Sequence, residues 1–216
     1  MRAEPAVKRT VAFVDGQNLF HAAREAFGYT YPNYDVMALA SLVCQRAGWH
    51  LAQARFYTGV PDGRDDAFWS EFWAAKLLTM SRQGVVTYSR ALRYRNRRVN
   101  LPDGSQHTYL AGEEKGIDVR IAIDVIRMAH RGEYDVALIF SQDQDLSEAA
   151  AEIRAISKEQ DRWIKIASAF PVSLLAHNSR GIERTDWIPI ERETYDACID
   201  RRDYRRKPER QETDAT

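Results

Sequence analysis

The sequence predicts an α/β fold with a mainly parallel central sheet flanked by helices. Three observations carry this reading. Two short apolar runs, Arg9 to Val14 and Tyr134 to Phe140, have the character of buried strands. Strand-like and helix-like segments alternate along most of the chain, as βαβ units do. No repeat or low-complexity linker interrupts it, so the 216 residues read as one domain over 1–200 with a charged, apolar-poor and flexible tail over 201–216.

The elements follow in order. Asp15-Gly16 breaks the first strand, and Asn18 to Phe27 reads as a helix with Leu19, Ala22, Ala23 and Ala26 at helical spacing. Gly28 to Asn33 is a turn. Tyr34 to Ala47 fits a second helix, with Asp35 as N-cap and Gly48 as its stop. His50 to Val60 is a strand closed by Pro61-Asp62-Gly63. Asp65 to Ser81 is a helix and Val85 to Ser89 a short strand. Arg90 to Leu110 reads as an inserted hairpin turning at Pro102-Asp103-Gly104, its outgoing arm carrying Arg90, Arg93, Arg95, Arg97 and Arg98. Lys115 to His130 is helical, with Ile117, Ile121, Val125 and Met128 on one side. After the strand ending at Phe140, Leu146 to Ile156 is helical. Trp163 to Ala167 and Asp186 to Ile190 complete the strands.

Composition excludes several classes. A hydrophobic fraction of 44% argues against wholesale disorder. No apolar run approaches the roughly 18 residues a membrane helix needs, and the polar N-terminus has no signal-like apolar stretch. Cys44 and Cys198 form no metal-ligand pattern and are expected to be reduced thiols, which points to a cytoplasmic protein. The formal charge is zero, but the 31 basic residues are 25 Arg and only 6 Lys. Arginine binds phosphate bidentately and stacks on flat rings. Either coding bias or separated basic and acidic surfaces would explain the excess.

In an open α/β sheet, ligands bind beyond the carboxyl ends of the strands, where strand order reverses. The two most apolar strands are each followed by acid: Asp15 after the first, Asp143 and Asp145 after the second. If the strands are central neighbours, three carboxylates converge, and a cation or a proton must relieve their repulsion. Hard Mg²⁺ or Mn²⁺ suits such oxygen donors. Each acid also has a plain structural role, a single Asp after a strand being usually a helix N-cap. Asp118 lies in a first helical turn, where the helix dipole alone would favour it. Asp124, about 120° around that helix, is a poorer candidate. Glu114 and Lys115 stand before the helix and would reach the site edge, Lys115 toward a phosphate or into a salt bridge. Asn18 either orients a water or phosphate or caps its helix. Gly16 would allow a sharp turn and close approach to a substrate.

Val-Asp-Gly-Gln-Asn, Glu-Lys-Gly-Ile-Asp-Val-Arg-Ile-Ala-Ile-Asp and Ser-Gln-Asp-Gln-Asp, in that order, resemble the NYN domain, a PIN-like nuclease family that includes LabA-like bacterial proteins. The resemblance covers roughly residues 9–170. It implies a Rossmann-like PIN fold and a metal-dependent ribonuclease. It carries catalytic roles to Asp15, Asn18, Asp118, Asp143 and Asp145, and metal-holding roles to the four acids among them. Gln142 stands where the family has Gly, Gln144 where it has a small residue, and Leu146 where phenylalanine is common. The two bulky amides would narrow the site or touch the substrate.

Residues 90–107 carry five Arg and one Asp, a local charge of +4 with His neutral, interleaved with Tyr94 and following Tyr88. Charge along phosphates with rings on bases suits single-stranded nucleic acid, and a solvated hairpin paired with surface acids would look the same. Because the hairpin leads into Glu113 to Asp118, Arg93, Arg95, Arg97, Arg98 and Lys115 are taken as substrate-binding residues. The expected partner is RNA, single-stranded or structured, with no membrane, and a homodimer is compatible with the sequence. The leading expectation is a Mg²⁺- or Mn²⁺-dependent endoribonuclease. The alternative is a non-catalytic RNA-binding or scaffold protein with the same fold. A phosphohydrolase or Toprim-like enzyme ranks third, since the chain lacks the Asp-X-Asp-X-Thr signature and a glutamate after the first strand.

Overall fold

The computed structural model describes residues 2–100, 104–174 and 176–204. β1 (Arg9–Asp15) leads into α1 (Gly16–Phe27) and α2 (Val36–Arg46), followed by β2 (His50–Val60), α3 (Ala67–Arg82) and β3 (Val86–Ala91). β4 (Arg93–Asn100) and β5 (Gln106–Glu113) come next, then α4 (Ile117–His130), β6 (Val136–Phe140), a 3-10 turn (Gln144–Leu146) and α5 (Ser147–Glu159). β7 (Lys165–Pro171), β8 (Asp186–Ile190) and α6 (Arg192–Asp196) close the described chain.

Six strands form one parallel sheet in the order β3-β2-β1-β6-β7-β8, and β4-β5 is a separate antiparallel hairpin. The order runs outward from β1 in one direction and restarts from β6 in the other. The switch point therefore lies between β1 and β6, the two apolar strands, with Val14 opposite Phe140. The α/β class, the parallel sheet and the hairpin insert are as the sequence predicts.

The alternation of β1 decides which helices see which residue. Ala12 and Val14 pack with α1 and α2, whereas Val11 and Phe13 pack with α4 and α5. By the same period of two, Asp15 belongs to the α4 side. Asp15, Asp35 and Asp66 cap α1, α2 and α3 through bonds from the backbone N–H of Asn18, Ala38 and Trp69. Gly28 and Gly48 end helices at φ 82° and 70°.

Several boundaries differ from the sequence reading for identifiable reasons. Parallel pairing of β2 with β3 continues to Val60 opposite Ala91, so Arg90 belongs to the main sheet and not to the hairpin. The hairpin begins at Arg93 opposite Glu113 and extends to Asn100 opposite Gln106. Pro102 and Asp103 of the expected turn lie outside the described residues, and Gly104 has φ 82°. β6 starts at Val136, and the two residues before it are anchored by their side chains. The Tyr134 hydroxyl donates to the Val125 carbonyl at 2.7 Å, and Asp135 receives Arg9 at 3.0 Å. β7 runs past Ala167 to Pro171, and the short α6 has no counterpart in the sequence reading. Cys44 and Cys198 are both buried free thiols, and burial pushes Cys44 up to about 12. No helix among the described residues is long and apolar enough to cross a membrane.

Residues 195–204 lie against the start of the chain. Tyr195 packs among Phe27, Tyr29 and Tyr34, and Ile199 bridges to Tyr34. Lys76 of α3 is the pin. Its Nζ donates to the Tyr34 carbonyl at 3.0 Å and to Asp200 at 3.2 Å, and lies 4.9 Å from the centre of the Tyr204 ring. Both side chains of the ion pair are nearly fully buried, at 1% and 6% exposure. Tail residues from Arg205 lie outside the described part of the chain. Removing one partner of such a pair leaves an uncompensated charge. Lys76→Ala should therefore destabilise the protein by about 3–5 kcal/mol in urea unfolding, and Lys76→Met with Asp200→Leu should recover most of that loss.

Candidate active site

Asp15 ends β1 at the switch point and is buried. One carboxylate oxygen accepts the Asn18 backbone N–H at 3.0 Å, and the other lies 3.5 Å from the Ser141 hydroxyl after β6. Burial raises its pKa from 3.8 to about 6. The Asn18 and Ser141 bonds oppose the rise, and the charges of Asp143 and Asp118 add to it. Asp143 thus reaches Asp15 from the β6 loop and Asp118 from the first turn of α4. The helix-capping role is realised at Asp15 together with this electrostatic coupling.

A fourth acid joins them. Glu114 follows β5 directly and accepts the backbone N–H of Gly59 at the end of β2. Burial, then the charge of Asp15, lifts it from 4.5 to about 7; the Gly59 bond works against the rise and Asp118 adds to it. Gly59 makes the approach feasible, since a Cβ there would stand 2.5 Å from the Leu92 side chain and 2.8 Å from a Glu114 oxygen. The sequence marked Glu114 only as a residue at the site edge. The usable signal was its position between a strand and Gly116, whose φ of 72° starts α4 without a side-chain cap.

Asn18 does not cap its helix, since Asp15 fills that place. The Asn18 side-chain oxygen accepts the Gln142 N–H at 2.8 Å and so ties the loop after β1 to the loop after β6. Ser141 continues the tie, accepting the Asp143 N–H at 3.1 Å while its carbonyl accepts the Ser168 hydroxyl at 2.7 Å. Asp143 caps the 3-10 turn by accepting the Asp145 N–H at 3.0 Å, and Asp145 itself is exposed on that turn. Gly16 has no positive φ; its need is space. A Cβ would meet the Phe56 ring at 2.5 Å, and its carbonyl accepts the buried Tyr34 hydroxyl at 2.9 Å.

The side-chain amides of the two glutamines bond to backbone groups and not to the acids. Gln142 donates to the carbonyls of Asn178 and Arg180 at 3.1 and 2.9 Å. Gln144 donates to Gln142 and Gly181 carbonyls and accepts the Glu183 N–H at 3.1 Å. Both side chains brace the segment before β8 against the β6 loop.

Asp124 stands apart from the acids. It is fully buried between β2 and α4, bound by Arg55, Arg120, Arg127 and the Tyr57 hydroxyl. Burial raises its pKa, but Tyr57 and Arg120 bonds and the Arg55 charge outweigh this and hold it low. On the hairpin, positions 93, 95 and 97 share a face and Arg98 takes the other. Glu113 on β5 receives Arg97 at 2.7 Å, Lys115 at 3.8 Å and Arg95 at 3.9 Å, while Arg95 and Arg97 stay about 60% exposed. Lys115 therefore pairs with Glu113 and not with the clustered acids.

The donors at the sheet edge are hard carboxylate oxygens, the set that suits Mg²⁺ or Mn²⁺. Such ions keep several waters and need only one or two direct carboxylates. Among the described residues, no three Asp, Glu, His or Cys side chains close on one point. By the chemistry of its donors, though not by a closed three-ligand group, the set fits such an ion.

The fold is shared with a solved structure. A Vibrio parahaemolyticus protein of unknown function matches at 18% identity and TM-score 0.50, covering 88% of this chain and 98% of its own. MurG of Acinetobacter baumannii matches at 10% identity and TM-score 0.33, covering 84% of this chain and 45% of its own. No curated relative matches. The NYN domain matches residues 9–162, from the first residue of β1 to beyond α5, and the chain belongs to the NYN domain family.

Proposed function

We propose that this protein is a divalent-cation-dependent endoribonuclease that hydrolyses RNA phosphodiester bonds at the carboxyl edge of its sheet. The observation that carries the reading is that buried Asp15, at the switch point, lies within electrostatic reach of Asp118, Asp143 and Glu114. Membership in a family of PIN-like nucleases supports it.

Asp15, Asp118 and Asp143 would hold Mg²⁺ or Mn²⁺, with Asp145 at the rim. The bound ion would supply Lewis acidity, lowering the pKa of a water and stabilising the departing oxygen. Asp15 is held rigidly by Asn18 and Ser141, so it orients without reorganisation. Glu114, with its pKa near 7, takes the proton of the attacking water as that oxygen bonds to phosphorus and the ester P–O bond breaks. Asn18 holds the β1 and β6 loops in register, a positioning role. The exposed hairpin arginines and Lys115 bind the backbone phosphates of the strand.

RNA binding without cleavage is the second reading, favoured by the lack of a three-ligand group among the described residues. Labelled single-stranded RNA with Mn²⁺ separates the two. Asp143→Asn and Asp118→Asn should each lower the cleavage rate by about 100-fold or more, outer ligands alone being worth 10–100-fold. Equal rates in wild type and both variants would sink the nuclease reading.

The raised acids also fix a pH dependence. The folded state binds protons on Asp15 and Glu114 more tightly than the unfolded chain does. Their contribution to stability is full below about pH 4 and is lost as pH rises through 6 and 7. Moving Asp15 from 3.8 to about 6 corresponds to about 3 kcal/mol. Without divalent ions, the melting temperature should fall between pH 5 and pH 8, on the order of several degrees. Millimolar Mn²⁺ should restore it at pH 8 but not at pH 5. Asp15→Asn should flatten the curve, and an unchanged slope in that variant would place the titration elsewhere.

A further inference from the structure

The positive surface of this molecule extends past the hairpin onto the outer face of α4 and β3, and two clusters build it the same way. On the hairpin, Glu113 receives Arg95, Arg97 and Lys115. Between β2 and α4, Asp124 receives Arg55, Arg120 and Arg127 at 2.9–3.1 Å. In each cluster a single acid faces three cations, so each keeps a surplus of two positive charges. Arg55 is spent on the inside, with its donors used by Tyr57, Gln53 and Asp124. Arg120 and Arg127 are not, and remain 33% and 44% exposed.

The two clusters are joined. Arg90 of β3 is exposed and donates to the Lys115 carbonyl at 3.4 Å, next to the hairpin cluster. Two residues back on the same face of β3, the Tyr88 ring lies 4.8 Å beneath the Arg120 guanidinium. From Arg120, Arg127 follows two helical turns along α4. Cations and a ring therefore run in series from the hairpin base to the far end of α4.

We propose that Arg90, Tyr88, Arg120 and Arg127 form a second single-stranded RNA subsite, which carries the strand away from the acids along α4 and β3. Guanidinium forks bind successive phosphates, and the stacked Arg120–Tyr88 pair is a platform of the kind on which an unpaired base stacks. Buried Asp124 keeps Arg120 and Arg127 in place, so they bind without ordering long side chains anew. The proposal rests on the RNA reading above and names where the strand goes.

The test measures binding of a fluorescein-labelled, unstructured single-stranded RNA by anisotropy, in EDTA to stop cleavage, over a range of salt. Arg120→Gln, Arg127→Gln and the combined Arg93, Arg95 and Arg97→Gln variant are compared with the full-length wild type. Each α4 variant should bind about threefold to tenfold more weakly, and the log–log salt slope should shrink by about 0.7 for every phosphate left unneutralised. If wild type binds no RNA, the RNA reading and this subsite fall together. If wild type binds and the hairpin variant weakens it while both α4 variants keep affinity and slope, the subsite alone is overturned. Should an α4 variant fail to fold, wild type decides by photocrosslinking to RNA carrying 4-thiouridine. Crosslinks at Tyr88 support the subsite, and crosslinks confined to other segments overturn it.

Discussion

A carboxylate at the end of a central strand cannot regain full hydration without opening the sheet, and Asp15 sits there between β2 and β6. The groups around it are arranged by that constraint. Asn18 lends a backbone N–H, Ser141 lends a hydroxyl, and the Asn18 side chain fastens the two strand ends together. Helix capping and site building are then one event: the bond that starts α1 also orients the acid. Gly16 and Gly59 keep the space clear, each at a place where a methyl group would strike a ring or a side chain.

Charge is sorted by position. Acids gather at the carboxyl edge of the sheet, where burial first, and then repulsion, raises Asp15 and Glu114. Arginines gather where each single acid is outnumbered, at Glu113 and Asp124. The formal charge of zero, 31 basic against 31 acidic residues over the whole chain, describes neither of these populations. The sorting makes use of the difference between the basic residues. Arginine forks share one carboxylate several ways, as three do at Asp124, while the buried Lys76 pins α3 to the C-terminal segment as a single point charge.

Gln142 and Gln144 show how a departure from a motif is accommodated. Side chains larger than glycine at the end of β6 would crowd the acids if they turned inward. They turn toward residues 178–183 and satisfy backbone groups there. The loop gains a brace. Local motif matching could not foresee this, because three of the four carbonyls that receive the amides come from more than 30 residues downstream.

The sequence by itself determined the α/β class, the parallel sheet, the hairpin, the helix caps at Asp15 and Asp35, and the strand-end acids. Each is written in local signals: apolar runs, helical spacing, turn residues and the polar residue that follows a strand. Only the tertiary structure decided that β1 and β6 are neighbours at the switch point, that Glu114 joins the acids while Asp124 is claimed by arginines, and that Arg90 pairs in the sheet. It also decided the fate of Asn18 and the two glutamines. These outcomes depend on groups brought together from distant parts of the chain, and on burial, which changes what a carboxylate or a guanidinium does without changing its identity.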